Sequence, residues 1–343
     1  MTADTSASVA RRIARRAPLG LMRVLTDGKL IVPYYHVVSD ERVPYVEGLY
    51  PYRTVGQFRE DLEFFLREYQ PISIDDLRRH VWEKVALPRR AFLLTFDDGF
   101  ACLHGVVAPM LEAKGVPAVF FLITSCLDNR EMAVSNQAAV LASSLARASM
   151  SVRRMVEGLL DEAQVRRAPL ESRLLQLGQE HGSVVGRIAA ILDVDIREYL
   201  SKHRPYLSSD QARSLARRGF AIGAHSIDHP RYRTIPLEEQ LRQTRESLRT
   251  IRAEVDPASA SFAFPHSDAG VALDFYRALS QEHPVTLCFG TSDMRRDPVA
   301  FSFQRFSMEM GGLPARALLA EQYARKLARM ISGRDVVRRT ESG

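Results

Sequence analysis

The sequence predicts an α/β protein, a distorted (β/α) barrel with a helical insertion. Short apolar runs alternate with amphipathic stretches along most of the 343 residues, as is typical of a parallel sheet covered by helices. Acidic, histidine and arginine residues directly follow successive apolar runs. These positions are the predicted carboxyl ends of the strands, where the active groups of such barrels gather. The alternation alone leaves a doubly wound open sheet as the competing architecture.

The first part of the chain contains three strand signals and two helix signals. "KLIVPYYH" (29–36) is rich in β-forming residues and predicts the first strand. Residues 55–69 carry apolar side chains at helical spacing, which predicts an amphipathic helix. "RAFLLTF" (90–96) and "PAVFFLI" (117–123) are short apolar runs with turn signals beside them, as expected of buried strands. The helix predicted between them, 103–115, ends at a glycine.

The alternation stops over residues 127–203, which are rich in Ala, Leu, Arg, Glu and Gln and predict a helical insertion. It resumes with a helix over 208–219, which has serine at its start and glycine at its end, and a strand over 220–226. The remaining predicted elements are helices over 236–255, 271–282 and 313–331, and strands over 260–265, 285–290 and 301–308.

These elements divide the chain into four parts. They are a basic N-terminal helical segment (1–28), the barrel (29–126 and 204–312), the insertion (127–203), and a C-terminal helix and tail (313–343). The N-terminal segment has arginines opposite apolar residues, so we expect peripheral contact with a membrane surface. A terminal helix that packs on the barrel is the alternative. The insertion either covers the active site or forms an oligomer contact.

Composition and the N-terminal pattern indicate the partners and the compartment to expect. Lys and Arg outnumber Asp and Glu by 47 to 41, which permits an anionic partner without selecting one. The cysteines (Cys102, Cys126 and Cys288) have no paired spacing, which predicts a reducing compartment and no disulfide framework. The N-terminus lacks the apolar stretch of a secretory signal, so we expect a cytoplasmic protein, peripheral at the inner membrane face. Scattered aromatic residues argue against a nucleic-acid partner.

Two groups at strand ends point to a metal. Asp97 and Asp98 follow one predicted strand, and His225 and His229 lie four residues apart after another. Two neutral imidazoles and one carboxylate suit Zn²⁺, Fe²⁺, Co²⁺ or Ni²⁺ with positions left open for water. We therefore predict Asp98 as a metal ligand and Asp97 as a general base for an attacking water. The alternative is that Asp97 and Asp98 belong to an ordinary acidic turn and that the two histidines lie in a polar loop and bind no metal.

"TFDDG" (95–99) followed by "HSIDH" (225–229) resembles the polysaccharide deacetylase family, the NodB-homology group or carbohydrate esterase family 4. The resemblance covers about residues 29–310 apart from the insertion. It implies a distorted (β/α) barrel, a divalent metal, Zn²⁺ first, on Asp98, His225 and His229, and Asp97 as the catalytic base. It also implies removal of acetyl groups from sugars.

The sequence departs from the family pattern at the general acid. Members often carry a late Leu-x-x-His segment, whereas no histidine follows His283 here. Some relatives look circularly permuted and begin with a strand that ends in Tyr-His, as "PYYHVVSD" does. That resemblance implies that His36 is the general acid. The alternative is a structural role, in which the His36 side chain packs or caps locally at the end of the N-terminal strand.

The third family motif is altered as well. "FAFPHSDAG" (262–270) stands where other members have a Phe-Pro-Tyr-Gly turn, so Pro265, His266 and Asp268 are expected either to contact substrate or to shape the pocket. The arginine that holds the base in the family has no match in this segment. Arg305, on the last predicted strand, is grouped with the substrate contacts and is also the candidate for that arginine.

The sequence therefore predicts a metal-dependent deacetylase acting on the N-acetyl or O-acetyl group of a sugar, an intermediate of bacterial surface-polysaccharide synthesis. One alternative is a deformylase or another small-amide or imide hydrolase on the same fold. Another is a glycan-binding protein with a degenerate site. The sequence leaves open the oligomeric state, the metal and the sugar.

Overall fold

The computed structural model of the chain describes residues 18–166, 168–283 and 285–341. Its centre is an eight-stranded sheet formed by β2 (Pro33–Tyr35), β5 (Leu94–Phe96), β6 (Ala118–Leu122), β7 (Ala221–Ala224), β8 (Ser261–Ala263), β9 (Leu287–Gly290), β10 (Ser302–Gln304) and β11 (Phe306–Ser307). All pairings in this sheet are parallel, and the strand order is β10-β9-β8-β7-β6-β5-β2-β11.

The two edge strands of this sheet, β10 and β11, are consecutive in the sequence. β10 and β11 are separated by Arg305 alone, so the same short segment pairs with β9 on one side and with β2 on the other. The Arg305 amide donates to the Gly290 carbonyl at 3.1 Å, and the next amide, that of Phe306, donates to Val32 at 3.3 Å. The sheet therefore curves round until it is nearly closed, which confirms the predicted distorted (β/α) barrel.

Three of the predicted strands are interrupted. The segments 29–36 and 90–96 each begin in a separate three-stranded sheet, formed by β1 (Leu30–Ile31), β4 (Ala91–Phe92) and β3 (Gln70–Pro71), before they enter the barrel. The segment 301–308 is interrupted at Arg305. Each interruption occurs where the chain changes pairing partners, which an apolar pattern along one strand does not encode.

Helices cover the outside of the barrel and begin at sequence-encoded caps. Thr54, Ser73 and Ser208 each form a capping box, which satisfies free amides in the first turn of the helix that follows. The helices of this layer are Leu19–Leu25, Val55–Glu68, Ile74–Trp82, Ala108–Glu112, Ser209–Arg217, Leu237–Glu254, Leu273–Glu282 and Ala315–Ile331.

The helix predicted over 103–115 is only partly α-helical. A π-helix at Leu103–Val107 precedes the α-helix Ala108–Glu112. Pro109 has no amide hydrogen, so the regular bond to the carbonyl four residues earlier cannot form, and the chain changes helix type there.

The segment 127–203 contains helices and, where the structure describes it, no strand. Its helices are Val134–Leu145, Met150–Glu162, Leu170–Leu174, Gly182–Ile191 and Ile196–His203. They enclose an apolar cluster drawn from the insertion alone, which includes Leu141, Leu160 and Ile188. The insertion also packs on the loop after β2, where Gly48 has a φ of 81° and faces Leu175 too closely to accept a β-carbon.

Most of the predicted N-terminal segment 1–28 lies outside the described residues, which begin at Pro18. Its last part forms the helix Leu19–Leu25, which packs against Ala315–Ile331. Among the helices of the described residues, none combines the length and apolar character needed to cross a membrane.

Candidate active site

The two adjacent aspartates point to different partners because the backbone turns sharply after β5. Asp98 and Gly99 both have positive φ, 70° and 77°. A β-carbon at Gly99 would lie 2.9 Å from the Leu122 side chain, so only glycine fits this turn. Asp97 and Asp98 are 2% and 5% exposed, so both carboxylates lie within the protein.

Asp98 faces two histidines. Its Oδ1 atom lies 3.5 Å from Nε2 of His225 and 3.4 Å from Nε2 of His229, and one ligand atom from each residue falls within 4.8 Å of the others. His225 directly follows β7, and its Nδ1 atom lies 2.8 Å from the Ala263 carbonyl on β8. This contact directs Nε2 towards Asp98.

The chemistry of this group fits a divalent cation. Asp98 Oδ1 is buried and has no hydrogen-bond partner among the described residues, although it lies between two imidazole nitrogens. Burial lowers the pKa of His225 and His229, which keeps both rings in the neutral form that binds metals. Burial raises the pKa of Asp98, so its ionised form needs a positive partner.

Asp97 is held by Arg305. Nη1 and Nη2 of the arginine donate to the two carboxylate oxygens at 2.7 and 2.8 Å, and Nη1 also donates to Thr95 at 3.2 Å. Burial alone would raise the pKa of Asp97, but the Arg305 guanidinium holds it below its ordinary value. Asp97 is therefore an oriented carboxylate that stays ionised.

His36, at the end of β2, is paired with Glu309. Its Nδ1 atom lies 2.5 Å from Glu309 Oε2, and the other carboxylate oxygen accepts from the backbone amides of His36 and Val37 at 2.8 and 3.1 Å. Burial alone would lower the pKa of His36, but the Glu309 carboxylate raises it to about 9. The imidazole is therefore protonated at neutral pH.

Tyr50 connects this histidine to Asp98. The Tyr50 ring stacks on His36 with 4.2 Å between ring centroids, and its hydroxyl donates to Asp98 Oδ2 at 3.2 Å. Tyr50 and Glu309 are the residues of this group that the sequence pattern missed. Glu309 stands directly after the last predicted strand, a position that could have identified it, whereas Tyr50 lies in a loop with no distinguishing pattern.

The predicted substrate contacts separate into three kinds. His266 is exposed, and its ring lies 4.3 Å from that of His229. Pro265 is buried behind it and shapes the turn. Asp268 is fully buried and bonded to Arg339 and Gln304, so the prediction that it contacts substrate is wrong.

Arg305 also requires a correction. Its side chain is 0% exposed and its guanidinium is engaged by Asp97, Thr95 and the Gly290 carbonyl. A substrate cannot reach it, so its grouping with the substrate contacts is wrong. Its geometry instead matches the other role considered for it, that of holding Asp97.

The insertion borders this site. Gln179 donates to Asp228, between the two histidines of "HSIDH", at 2.8 Å. A cavity of about 340 Å³ opens beside this contact, lined by Ser125 and Asp228 from the barrel and by Gln137 and Gln179 from the insertion. The insertion therefore contributes polar side chains next to the loop 225–229, which carries the candidate ligands His225 and His229 and is called the metal-ligand loop below.

Comparison with known proteins identifies a family. The family model described as polysaccharide deacetylase matches residues 84–167 and 180–286, more than half of the chain. A poly-β-1,6-N-acetyl-D-glucosamine N-deacetylase of Escherichia coli K12 is 41% identical over 66 residues, which are 19% of this chain and 10% of that protein. The aligned stretch thus spans only about a tenth of this relative.

Three solved structures share the fold. The Streptococcus pyogenes deacetylase PplD, in complex with acetate, has a TM-score of 0.55 at 12% identity, covering 85% of this chain and 97% of that one. IcaB from Ammonifex degensii has a TM-score of 0.53 at 14% identity, with the same coverages. A de-N-acetylase from Aggregatibacter actinomycetemcomitans has a TM-score of 0.53 at 15% identity and covers 84% and 99%.

Proposed function

The chain belongs to the polysaccharide deacetylase family, and from this premise we propose that it hydrolyses the N-acetyl group of an amino sugar in a metal-dependent reaction. The observation that carries the proposal is the pairing of Asp97 with Arg305 beside the Asp98, His225 and His229 group. An ionised carboxylate is thereby fixed next to a set of metal-ligating atoms, which a water-activating site requires.

Asp98, His225 and His229 are the residues that would hold the cation, with Zn²⁺ the first candidate. Such a cation polarises the acetyl carbonyl and lowers the pKa of a water molecule. Asp97 has the position and the charge to take a proton from the attacking water. The bidentate bond from Arg305 keeps its carboxylate oriented and ionised while it does so.

His36 serves as the general acid. Its Nδ1 atom is taken by Glu309, which leaves Nε2 to protonate the departing amine nitrogen. The raised pKa keeps that proton in place at neutral pH. Water adds to the acetyl carbon, the carbon–nitrogen bond breaks, and the products are acetate and a free amino sugar.

The substrate we propose is a polymer or an intermediate of surface-polysaccharide synthesis that contains N-acetylglucosamine. The E. coli relative is named for poly-β-1,6-N-acetyl-D-glucosamine, which makes this polymer the first candidate. His266 is the exposed residue nearest to the metal-ligand loop among those predicted to contact substrate, and we propose that it touches the sugar. The cavity beside the Asp228–Gln179 contact offers polar groups for a neighbouring sugar unit.

The alternatives predict different outcomes in the same assay. A deformylase or imide hydrolase would release product from formylated or cyclic amides and not from acetylated sugars. A glycan-binding protein with a degenerate site would bind sugar without releasing an amine. The buried Arg305–Asp97 pair counts against the degenerate site, because binding without hydrolysis does not need an oriented base.

Metal analysis of the purified protein, with amine release from β-1,6-linked N-acetylglucosamine oligomers, tests the proposal. Asp98→Ala is expected to lose bound metal and to lower kcat/KM by more than about 10³-fold. Asp193→Ala is the matched control, because Asp193 also has positive φ but lies exposed in the insertion. Normal metal content and turnover in Asp98→Ala protein would refute the assignment.

A further inference from the structure

The end of the barrel opposite the catalytic groups carries an unusual surface. Because the strands are parallel, the helices between them run back and end at the side where the strands begin. The apolar residues exposed there include Val24, Leu25, Trp82, Val85, Met330 and Ile331, with exposed fractions between 37% and 81%. We call these six residues the basal surface.

An open groove of about 920 Å³ borders the basal surface: Met330 lines it, as do Thr26 and Ala86, the sequence neighbours of Leu25 and Val85. Apolar residues at the starts of strands line it, including Leu30, Ile31 and Phe303. Its lining also includes Arg89 and Arg295, neither of which forms an ion pair with another described residue, and the Arg295 Nε atom has no hydrogen-bond partner. The acidic residues of the lining, Asp27, Asp297 and Asp335, are paired with Lys29, Arg339 and Arg296. Arg89 and Arg295 therefore add positive charge that no described carboxylate pairs with.

We propose that the basal surface docks on an anionic lipid bilayer. Apolar side chains that enter the headgroup region, with basic groups beside them, are what interfacial binding requires. Trp82, the chain's single tryptophan, lies at this surface, and tryptophan is enriched at membrane–water interfaces. The proposal extends the sequence-based prediction of membrane contact from the N-terminal segment to a surface of the folded barrel.

Charge favours a bilayer over the other occupants. A second copy related by two-fold symmetry would bring the same positive groups against themselves. Residues 1–17 are another candidate occupant of the groove. They include Arg11, Arg12, Arg15 and Arg16, so they would add positive charge to a groove that is already basic. They join the chain at the start of a seven-residue helix, about 10 Å long, which ends at the basal surface.

Trp82 reports on the docking directly. We expect full-length protein to float with vesicles of phosphatidylcholine and phosphatidylglycerol but not of phosphatidylcholine alone. We also expect its tryptophan emission to shift to shorter wavelength as it binds, and added salt to weaken the binding. Flotation without any change in emission would overturn the proposal, because another part of the chain would then be responsible. Failure to float on either vesicle would also overturn it.

Matched variants separate this surface from general effects. Val24→Asp with Ile331→Asp is expected to abolish flotation, whereas Met150→Asp with Met155→Asp, at exposed residues of the insertion, is expected to leave it intact. Arg89→Glu keeps the test decisive if the first pair does not fold, with at least about fivefold weaker partition expected, and Arg154→Glu in the insertion as its control. Equal loss in test and control variants would overturn the proposal, as would a dimer that the basal variants dissociate.

This test is independent of the proposed function. The basal residues do not contact the catalytic group, so kcat on a soluble oligomer is expected to be unchanged in every folded basal variant. Loss of flotation with normal turnover supports the proposal, and absent turnover with normal flotation counts against the deacetylase proposal alone.

Discussion

At the catalytic end of the barrel, the buried Asp97 is paired with the buried Arg305, and the partly exposed His36 with the buried Glu309. At the basal end, Arg89 is exposed without an ion-pair partner among the described residues, and Val24 and Ile331 are open to solvent. The catalytic end holds these charged side chains in ion pairs, whereas the basal end exposes to solvent apolar side chains and an arginine that no described carboxylate pairs with. A barrel of parallel strands separates these tasks, because its two rims are built from different loops.

The largest expected effect comes from breaking a charge pair at the catalytic end. Arg305→Met leaves Asp97 buried without a partner, which we expect to cost about 3–5 kcal/mol of unfolding free energy. The pKa of Asp97 then rises, so the base is protonated at higher pH and the acidic limb of the kcat/KM profile moves upward. Activity at neutral pH is expected to fall about 10²-fold.

Chemical denaturation and a pH–rate profile measure these effects together. Arg154→Met, at an exposed residue of the insertion, is the control and is expected to change stability by less than about 0.5 kcal/mol. An acidic limb that stays in place in Arg305→Met protein would contradict the assigned role of Arg305.

Glu309→Gln is expected to have the next largest effect. His36 then loses the carboxylate that raises its pKa, so the imidazole gives up its proton at lower pH. The alkaline limb of the kcat profile moves to lower pH, and activity falls about 10-fold at neutral pH and further above it. An equal loss at every pH would instead indicate a purely structural role for Glu309.

The smallest effect on activity is expected from changing Arg339, which links the two ends of the barrel. Arg339 belongs to the tail that leaves the basal end, and it donates to Asp268 and Asp297 behind the loop that carries His266. Arg339→Met leaves Asp268 and Asp297 buried without their cation, which we expect to cost about 3–5 kcal/mol of unfolding free energy. In the folded variant KM is expected to rise a few-fold with little change in kcat, because the loop loses its anchor while the catalytic pairs remain.

Steady-state kinetics on soluble oligomers separate these two constants. Arg338→Met is the matched control, since the neighbouring arginine is exposed. A fall in kcat at unchanged KM would place the effect on the catalytic groups and not on the loop.

Sequence reasoning reached the fold class and the strand-end groups for a physical reason. Parallel strands bring their carboxyl ends to one rim, so Asp98 and His225 can be expected together even though a long stretch of chain separates them. It did not reach Glu309 and Tyr50, which act through side-chain contacts across the rim. The position of Glu309 directly after the last predicted strand was an available signal, whereas nothing in the local pattern around Tyr50 indicates its contact.

Asp268 shows the opposite error. A carboxylate in a turn beside the metal-ligand loop has the pattern of a substrate contact, but its partner Arg339 is 71 residues away in the tail. A buried ion pair depends on a second residue that the turn itself does not reveal. The interruption of the last strand at Arg305 was missed for a similar reason, because it depends on two different neighbouring strands.

That interruption has a consequence for how the protein is made. Arg305 lies 208 residues after Asp97, and Glu309 lies 273 residues after His36. A chain emerging from the ribosome can bring Asp98 and both histidines together well before the base and the acid acquire their partners. Contacts so distant in sequence slow folding, so we expect the Asp97–Arg305 and His36–Glu309 pairs to form only with the last strand. Ring closure thus completes the site: Asp98, His225 and His229 can meet in an unfinished barrel, whereas Asp97 and His36 acquire their partners only when the barrel closes.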